Sequence, residues 1–443
     1  MIKIIYIFFF NLIILSNSLK FNIFDNRPNI KKIDKNIIQS LKPATLNYAM
    51  EPLSGLVDGY WVSKLNCIEK VGGQGISDQI FNSFFRLFDI FPYILAPEVS
   101  ILYSQNKTKS IEKLYSSTLT LTLILSFIIS ILISYNSKLI VKFFIKENNI
   151  IFNHAVNYIK IRIIGLPFCL TNSIIFSILK GMFDFNSALN VNIKCQLLNF
   201  IFNPIFMNFF GLTGLAIATL LSEIICCINY INILSKKKIN YKFTKKLYIF
   251  NFKKCSYVQI KNIFHNFLIV VANNKISNID KLGNDIATHI LCLKIFDFGV
   301  IFSKGLHSIS SIIISKEILY NNDKDSMKRI LLFSNIIGLI QFFLFLNLNI
   351  FLKFFTNNDN ILNKSKKLTI FLSLIGYTNC LQYTLDGIMQ GYQKYKYQAI
   401  ISITSLLLMI YFMMLSKNLS HIWLSYLLIS ILKIISMIKI LIN

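Results

Sequence analysis

Asp58 stands in the run Leu56-Val57-Asp58-Gly59-Tyr60-Trp61, an acid with apolar neighbours on both sides. An acid at the centre of a membrane helix costs about 2.5–3.5 kcal/mol on insertion scales, so it is usually protonated or turned to a polar cavity. Desolvation disfavours the charged form of any acid. A carboxylate so placed can take up a proton from one side of a barrier and release it on the other. The other reading of Asp58 is a structural hydrogen bond inside its own bundle. Glu51 lies seven residues earlier on the same helical face. It is either a second acid in the same cavity or a charge near the interface.

Further charges fall inside apolar stretches. Asp78, Arg86, Asp89 and Glu98 crowd one of them. Arg86 and Asp89 are three apart, so they either pair on one helical face or line a cavity wall; Asp78 and Glu98 read as end charges. In the second half, Lys294, Asp297, Lys304 and His307 share a stretch. Asp297 and Lys304, seven apart, form an internal pair or a substrate site with His307. Asp386 precedes Gly387 near a helix end and is expected at the interface, while Arg162 and Lys180 are expected to snorkel or meet a loop. Gly72-Gly73-Gln74-Gly75 lacks the strand before it and the Gly-Lys-Ser/Thr after it that a phosphate loop needs, and reads as a flexible turn. The eight cysteines contain no C-x-x-C and the five histidines form no cluster, so neither a metal site nor a cofactor is indicated. A membrane-embedded transferase would need a His-Asp pair or an Asp-rich motif inside a span, and none is visible in the sequence.

The elements that must position these residues follow from composition. Of 443 residues, 54% are hydrophobic and 15% charged, with a mean hydropathy of +0.57. A soluble globular chain carries about 25% charged residues, and a disordered one is poor in apolar residues. One membrane span takes roughly 20 apolar residues, which leaves room for about twelve. They fall at 43–65, 75–102, 115–136, 153–180, 187–209 and 212–235, then at 258–280, 284–315, 329–352, 367–390, 397–416 and 420–441. The expectation is an all-α membrane protein of two six-helix bundles, 43–235 and 258–443, joined by a basic loop at 236–257. The net charge of +26 would suggest nucleic acid in a soluble protein, but no basic amphipathic helix or RNA-binding motif accompanies it. Eight lysines and no acid between 236 and 254 instead mark a loop held on the cytoplasmic or equivalent side, with both termini. Residues 1–18 resemble a signal peptide, and 19–42 read as a basic leader or a solvated tail. A secretory-pathway or plastid-derived organelle membrane is the expected location.

The two sets of spans look like a duplication. Lys142-Phe143-Phe144 and Lys353-Phe354-Phe355 stand 211 residues apart, and Asn-Ile follows each at 149–150 and 360–361. Gly165 and Gly376 keep the offset of 211, and Gly181 and Gly391 give 210. Repeated halves are a recurring design of secondary transporters, with the substrate site at the repeat interface.

The residues then become specific. Pro43-Ala44-Thr45, Glu51-Pro52-Leu53-Ser54-Gly55-Leu56-Val57-Asp58, the fourth-span run Tyr158-Ile159-Lys160-Ile161-Arg162-Ile163-Ile164-Gly165-Leu166-Pro167 and Leu179-Lys180-Gly181-Met182-Phe183-Asp184 resemble multidrug and toxic compound extrusion (MATE) transporters, most closely the DinF-like branch. Leu198-Asn199-Phe200-Ile201-Phe202-Asn203-Pro204, Gly211-Leu212-Thr213-Gly214 and, in the second half, Leu385-Asp386-Gly387-Ile388-Met389-Gln390-Gly391 add to the resemblance. It implies two six-helix bundles, an outward-opening cavity and export of organic, often cationic, compounds driven by entry of H⁺ or Na⁺. It also implies a coupling site at Asp58, Asn199, Asn203 and Thr219. Asn203 departs from the pattern, which usually has an acid there, and Asn does not titrate. A monomer in the lipid bilayer handling a small organic substrate is expected. The alternatives are a lipid-linked flippase or an exporter of organic anions or metabolites.

Overall fold

A computed structural model describes residues 27–63, 68–88, 90–144, 151–243, 252–279, 284–353 and 359–442. Among them every regular element is a helix. In chain order these are α1 Pro28–Ser63, α2 Ile68–Leu87, α3 Ile90–Ser104, α4 Thr108–Tyr135, α5 Ser137–Phe144, α6 Ile151–Arg162, α7 Leu166–Gly181, α8 Phe185–Phe210 and α9 Leu212–Lys236. The second half has α10 Phe252–Ile279, α11 Asn284–Gly299, α12 Ile301–Glu317, α13 Asp323–Leu346, α14 Leu348–Leu352, α15 Asp359–Gly391, α16 Tyr395–Leu415 and α17 Leu419–Ile442. A 3₁₀ turn, Ile163–Gly165, joins α6 to α7. Two compact units result: Pro43–Ile263 with Gln398–Ile400, and Phe264–Tyr397 with Ile401–Asn443 and the described residues 27–42.

Each expected span falls on a helix or a broken pair of helices. Among the described residues six are long and apolar enough to cross a membrane: α4, α6 with α7, α9, α13, α16 and α17; α11 with α12, bent by 44°, makes a seventh when the pair is counted as one span. The remaining long helices fall short because polar residues interrupt them, and α1 and α8 are the ones that carry Asp58, Asn199 and Asn203. The radial polarity is inverted relative to a soluble bundle. Helix α4 buries Ser117, Thr118, Thr120, Thr122 and Ser126 while exposing Phe127, Ile128, Ile131 and Leu132. Its hydroxyls are satisfied by backbone carbonyls one turn back, as with Thr118 to Leu114 at 2.7 Å. Such a surface suits hydrocarbon, where helices associate through small polar residues rather than by expelling water.

The duplication extends to the turns. After α7 the Asp184 N–H donates to the Leu179 carbonyl at 2.9 Å, and after α15 the Lys394 N–H donates to the Met389 carbonyl at 2.9 Å. Phe183 and Gln393, 210 residues apart, both adopt a left-handed backbone at φ 62° and 56°. Lys142-Phe143-Phe144 closes α5, and Lys353 follows its counterpart α14.

Several expectations change. Helix α1 starts at Pro28, inside the segment read as a leader or tail, and Asp34 accepts from Arg329 Nε at 2.8 Å. Residues 1–18, read as a signal peptide, lie outside the described residues. Gly72-Gly73-Gln74-Gly75 is helical, within α2, rather than a turn. The absence of a side chain at Gly73 lets α6 approach: a Cβ there would stand 2.7 Å from His154 Cβ. The span expected at 75–102 breaks between α2 and α3.

Candidate functional site

Asn199 and Asn203 are four residues apart on α8 and therefore share one face. Both donate through Nδ2 to Asp58 Oδ1 of α1, at 3.1 and 2.9 Å. Asp58 is 9% exposed and Asn203 0%. The carboxamide oxygens of Asn199 and Asn203 are buried and accept no hydrogen bond. Trp61, one turn from Asp58, packs its ring 5.8 Å from that of Phe200. Thr219 of α9 is buried, but its hydroxyl donates to the Leu215 carbonyl of its own helix at 3.0 Å rather than to Asp58. Three of the four proposed coupling residues are thus in direct contact. Helix α8 is held at its start by Asp184, whose carboxylate accepts from the Ser187 N–H at 3.0 Å and pairs with Lys237 at 2.6 Å.

A second charged group lies in the same unit. Arg162 closes α6 and grips Glu223 of α9 with both nitrogens, at 2.9 and 2.8 Å. Its guanidinium lies 3.7 Å from the centre of the Phe81 ring, Cys169 Sγ approaches Glu223 Oε1 at 3.4 Å, and Asn172 Nδ2 donates to the Glu223 carbonyl at 3.2 Å. The expectation that Arg162 snorkels is therefore wrong, because a buried acid on α9 is close enough to neutralise it in the interior. Lys180 is likewise buried, 5.9 Å from the Phe176 ring. Asp78, expected as an end charge, sits mid-way along α2 with Gln74 hydrogen-bonded to it. Sequence reading passed over Glu223, although the rule that selected Asp58 applies to it: it is the single acid inside an apolar span.

The cavity candidates fare unevenly. Arg86 is exposed in the last turn of α2, Asp89 lies outside the described residues, and Glu51 lies on α1, two turns before Asp58. Asp297 and Lys304 do not share a straight helix, because the chain bends at Val300 between them, and Asp297 is exposed. His307 pairs with Asp386, Nε2 to Oδ2 at 3.4 Å, and meets the Tyr383 ring edge-on at 6.3 Å. Asp386 is therefore an interior partner, not an interfacial charge. Gly387 allows this: a Cβ there would stand 2.4 Å from the His307 carbonyl oxygen. Partners 79 residues apart could not be matched from sequence.

Two repeated helix sets, interior acids and a lipid-compatible surface fit a membrane transporter. The MatE family model matches residues 43–205 and 262–415, and the chain belongs to that family. Solved structures agree in fold. A MOP superfamily transporter of Pyrococcus furiosus, described as having a binding pocket of reverse polarity that suggests a different function, aligns with a TM-score of 0.80 at 16% identity over 94% of this chain and 98% of that one. A multidrug resistance MATE family transporter in an outward-facing conformation aligns at 0.80 and 16% identity over 93% and 96%. A MATE in complex with MaD5 aligns at 0.80 and 17% over 91% and 94%. Comparison with curated protein sequences finds no match.

Proposed function

We propose that the protein is a secondary antiporter of the DinF-like branch that exports organic, cationic or amphipathic compounds in exchange for H⁺ or Na⁺. Asp58 is the coupling acid, and Asn199 and Asn203 are its immediate shell. The observation that carries this is the pair of buried carboxamide oxygens that accept no bond beside a carboxylate that accepts two. When Asp58 is ionised, the two NH₂ groups stabilise it. When a proton or Na⁺ arrives, it neutralises the Asp58 carboxylate, and the unpartnered carboxamide oxygens of Asn199 and Asn203 are oxygen donors of the kind hard cations prefer. Thr219 is buried on α9, one turn before Glu223. Loading and unloading Asp58 from opposite sides, as the two bundles alternate in access, couples the gradient to export.

The test is transport in proteoliposomes under separately imposed H⁺ and Na⁺ gradients, with a panel of organic cations and anions. Asp58→Asn keeps size and hydrogen bonding but not charge. It should abolish gradient-driven export and leave substrate binding largely intact. Transport at the parent rate under either gradient would sink the assignment. The buried cation Lys180 favours a second reading, export of an organic anion; preferential movement of the anions in the same panel would select it.

A further inference from the structure

Arg162 is a permanently charged fork of five donors in the interior of the unit that holds Asp58. Tyr158 and Ile161 of its own helix pack with Val62 and Trp61 of α1 and with Leu215 and Ala216 of α9, so Arg162, Asp58 and Glu223 stand on three helices that meet. Only Glu223 receives the guanidinium bidentately. We propose that Glu223 is a positioning residue that keeps the Arg162 guanidinium away from Asp58, so that Asp58 stays open to a mobile cation. The proposal rests on the reading of Asp58 as the coupling acid.

The fold builds the pair deliberately into its backbone. A Cβ on Gly165 would stand 2.6 Å from Glu223 Oε2 and 2.8 Å from an Arg162 Nη, so the ion pair occupies the space of the missing side chain. In the second repeat the equivalent Gly376 makes room for something else, the Phe345 ring, at 2.5 Å. The clearance is shared by both repeats, and the charge pair belongs to the one that carries Asp58. Glu223 is two turns beyond Leu215 and Ala216, the α9 residues that pack with Val62 and Trp61 of α1.

Among the described residues, the titratable and charged groups that bear on Asp58 include Asp78 of α2, Tyr158 and Arg162 of α6, and Glu223 of α9, while the α8 groups that touch it are the neutral carboxamides of Asn199 and Asn203. If Glu223 loses its charge, the guanidinium has two acids left to serve. A resident Arg162–Asp58 pair would then compete with H⁺ and with Na⁺ alike. If Arg162 loses its charge, Glu223 adds an uncompensated negative field and both cations should bind more readily.

Trp61 offers a readout, because the chain has two tryptophans and Trp423→Phe leaves Trp61 as the sole indole. The full-length protein in nanodiscs is titrated with H⁺ and separately with Na⁺ while Trp61 emission is followed. Relative to the Trp423→Phe parent, Glu223→Gln should lower the pH midpoint by about one unit and weaken Na⁺ binding about tenfold, the equivalent change in free energy. Arg162→Met should shift both the opposite way. The double variant should return to within about twofold of the parent, the usual additivity error. A merely structural pair predicts no such opposed signs. If Asp58→Asn responds like the parent, or the parent does not respond, the coupling reading fails. If Asp58→Asn is silent but Glu223→Gln and Arg162→Met leave the midpoints unmoved or move them the same way, the positioning role is overturned and Asp58 stands. Should one single variant not fold, the sign of the other decides. Should neither fold, Glu223→Asp, which withdraws the carboxylate by one methylene, must move both midpoints in the direction expected of Glu223→Gln.

Discussion

At the scale of single residues, the chain handles buried charge in three different ways. Asp58 is surrounded by neutral donors, Arg162 and Glu223 neutralise each other, and His307 shares Asp386. Asn203 fixes the character of the first. Asn203→Asp would place two acids in one shell, which titrate as a coupled pair, and the pH profile of transport should gain a second step. Asp184 shows the same physics in a turn outside the spans. Burial raises its carboxyl, but Lys237 and the Ser187 N–H outweigh that and hold it below the usual aspartate range. Its contribution is therefore present above the unfolded value of about 3.9 and is lost as pH falls through the lower folded value. Asp184→Ala also removes the N-cap of α8, a loss of about 0.5–2 kcal/mol. Thermal unfolding of the variant should show a lower midpoint at pH 7 than the parent, with the difference shrinking in acid.

At the scale of elements, glycines decide where helices touch. Gly387 on α15 brings its backbone to the His307 carbonyl of α12, and Gly391 does the same against Ser311. Close helix approach through small residues is the general device of membrane bundles. Gly387→Leu would drive the two helices apart and separate His307 from Asp386. Overpacking of this kind costs about 1–3 kcal/mol, more where backbone must move. A thermal midpoint unchanged from the parent would contradict the crossing described.

At the scale of the molecule, the start of α1 belongs with the C-terminal unit. Arg329 is 8% exposed and is held by Asp34, while Arg27 reaches Asp325 at 3.2 Å. Removing one partner of a buried ion pair costs about 3–5 kcal/mol. Asp34→Ala, and likewise deletion through residue 42, should therefore lower the melting temperature of the purified protein sharply. A melting temperature of Asp34→Ala equal to that of the parent would show that the pair contributes nothing.

The sequence alone determined the all-α class and the order of the helical stretches, because a span of hydrocarbon needs a fixed length of apolar chain and that length repeats along the sequence. It determined the duplication, since matching residues at offsets of 210 and 211 mark matching turns. It also singled out Asp58, because an acid among apolar residues is conspicuous without any fold. What it could not supply was partnership. Asn199 and Asn203 were placed beside Asp58 by family resemblance, and their contact with Asp58 Oδ1 spans 141 and 145 residues. The Arg162–Glu223 and His307–Asp386 pairs escaped notice altogether, because an ion pair between helices depends on which faces meet. Those faces are set by packing around Gly165 and Gly387. The bend at Val300 likewise takes Asp297 and Lys304 off the single straight helix that i, i+7 spacing assumes. Local pattern fixes the rods in hydrocarbon; the neutralisation of each interior charge is decided only where two rods cross.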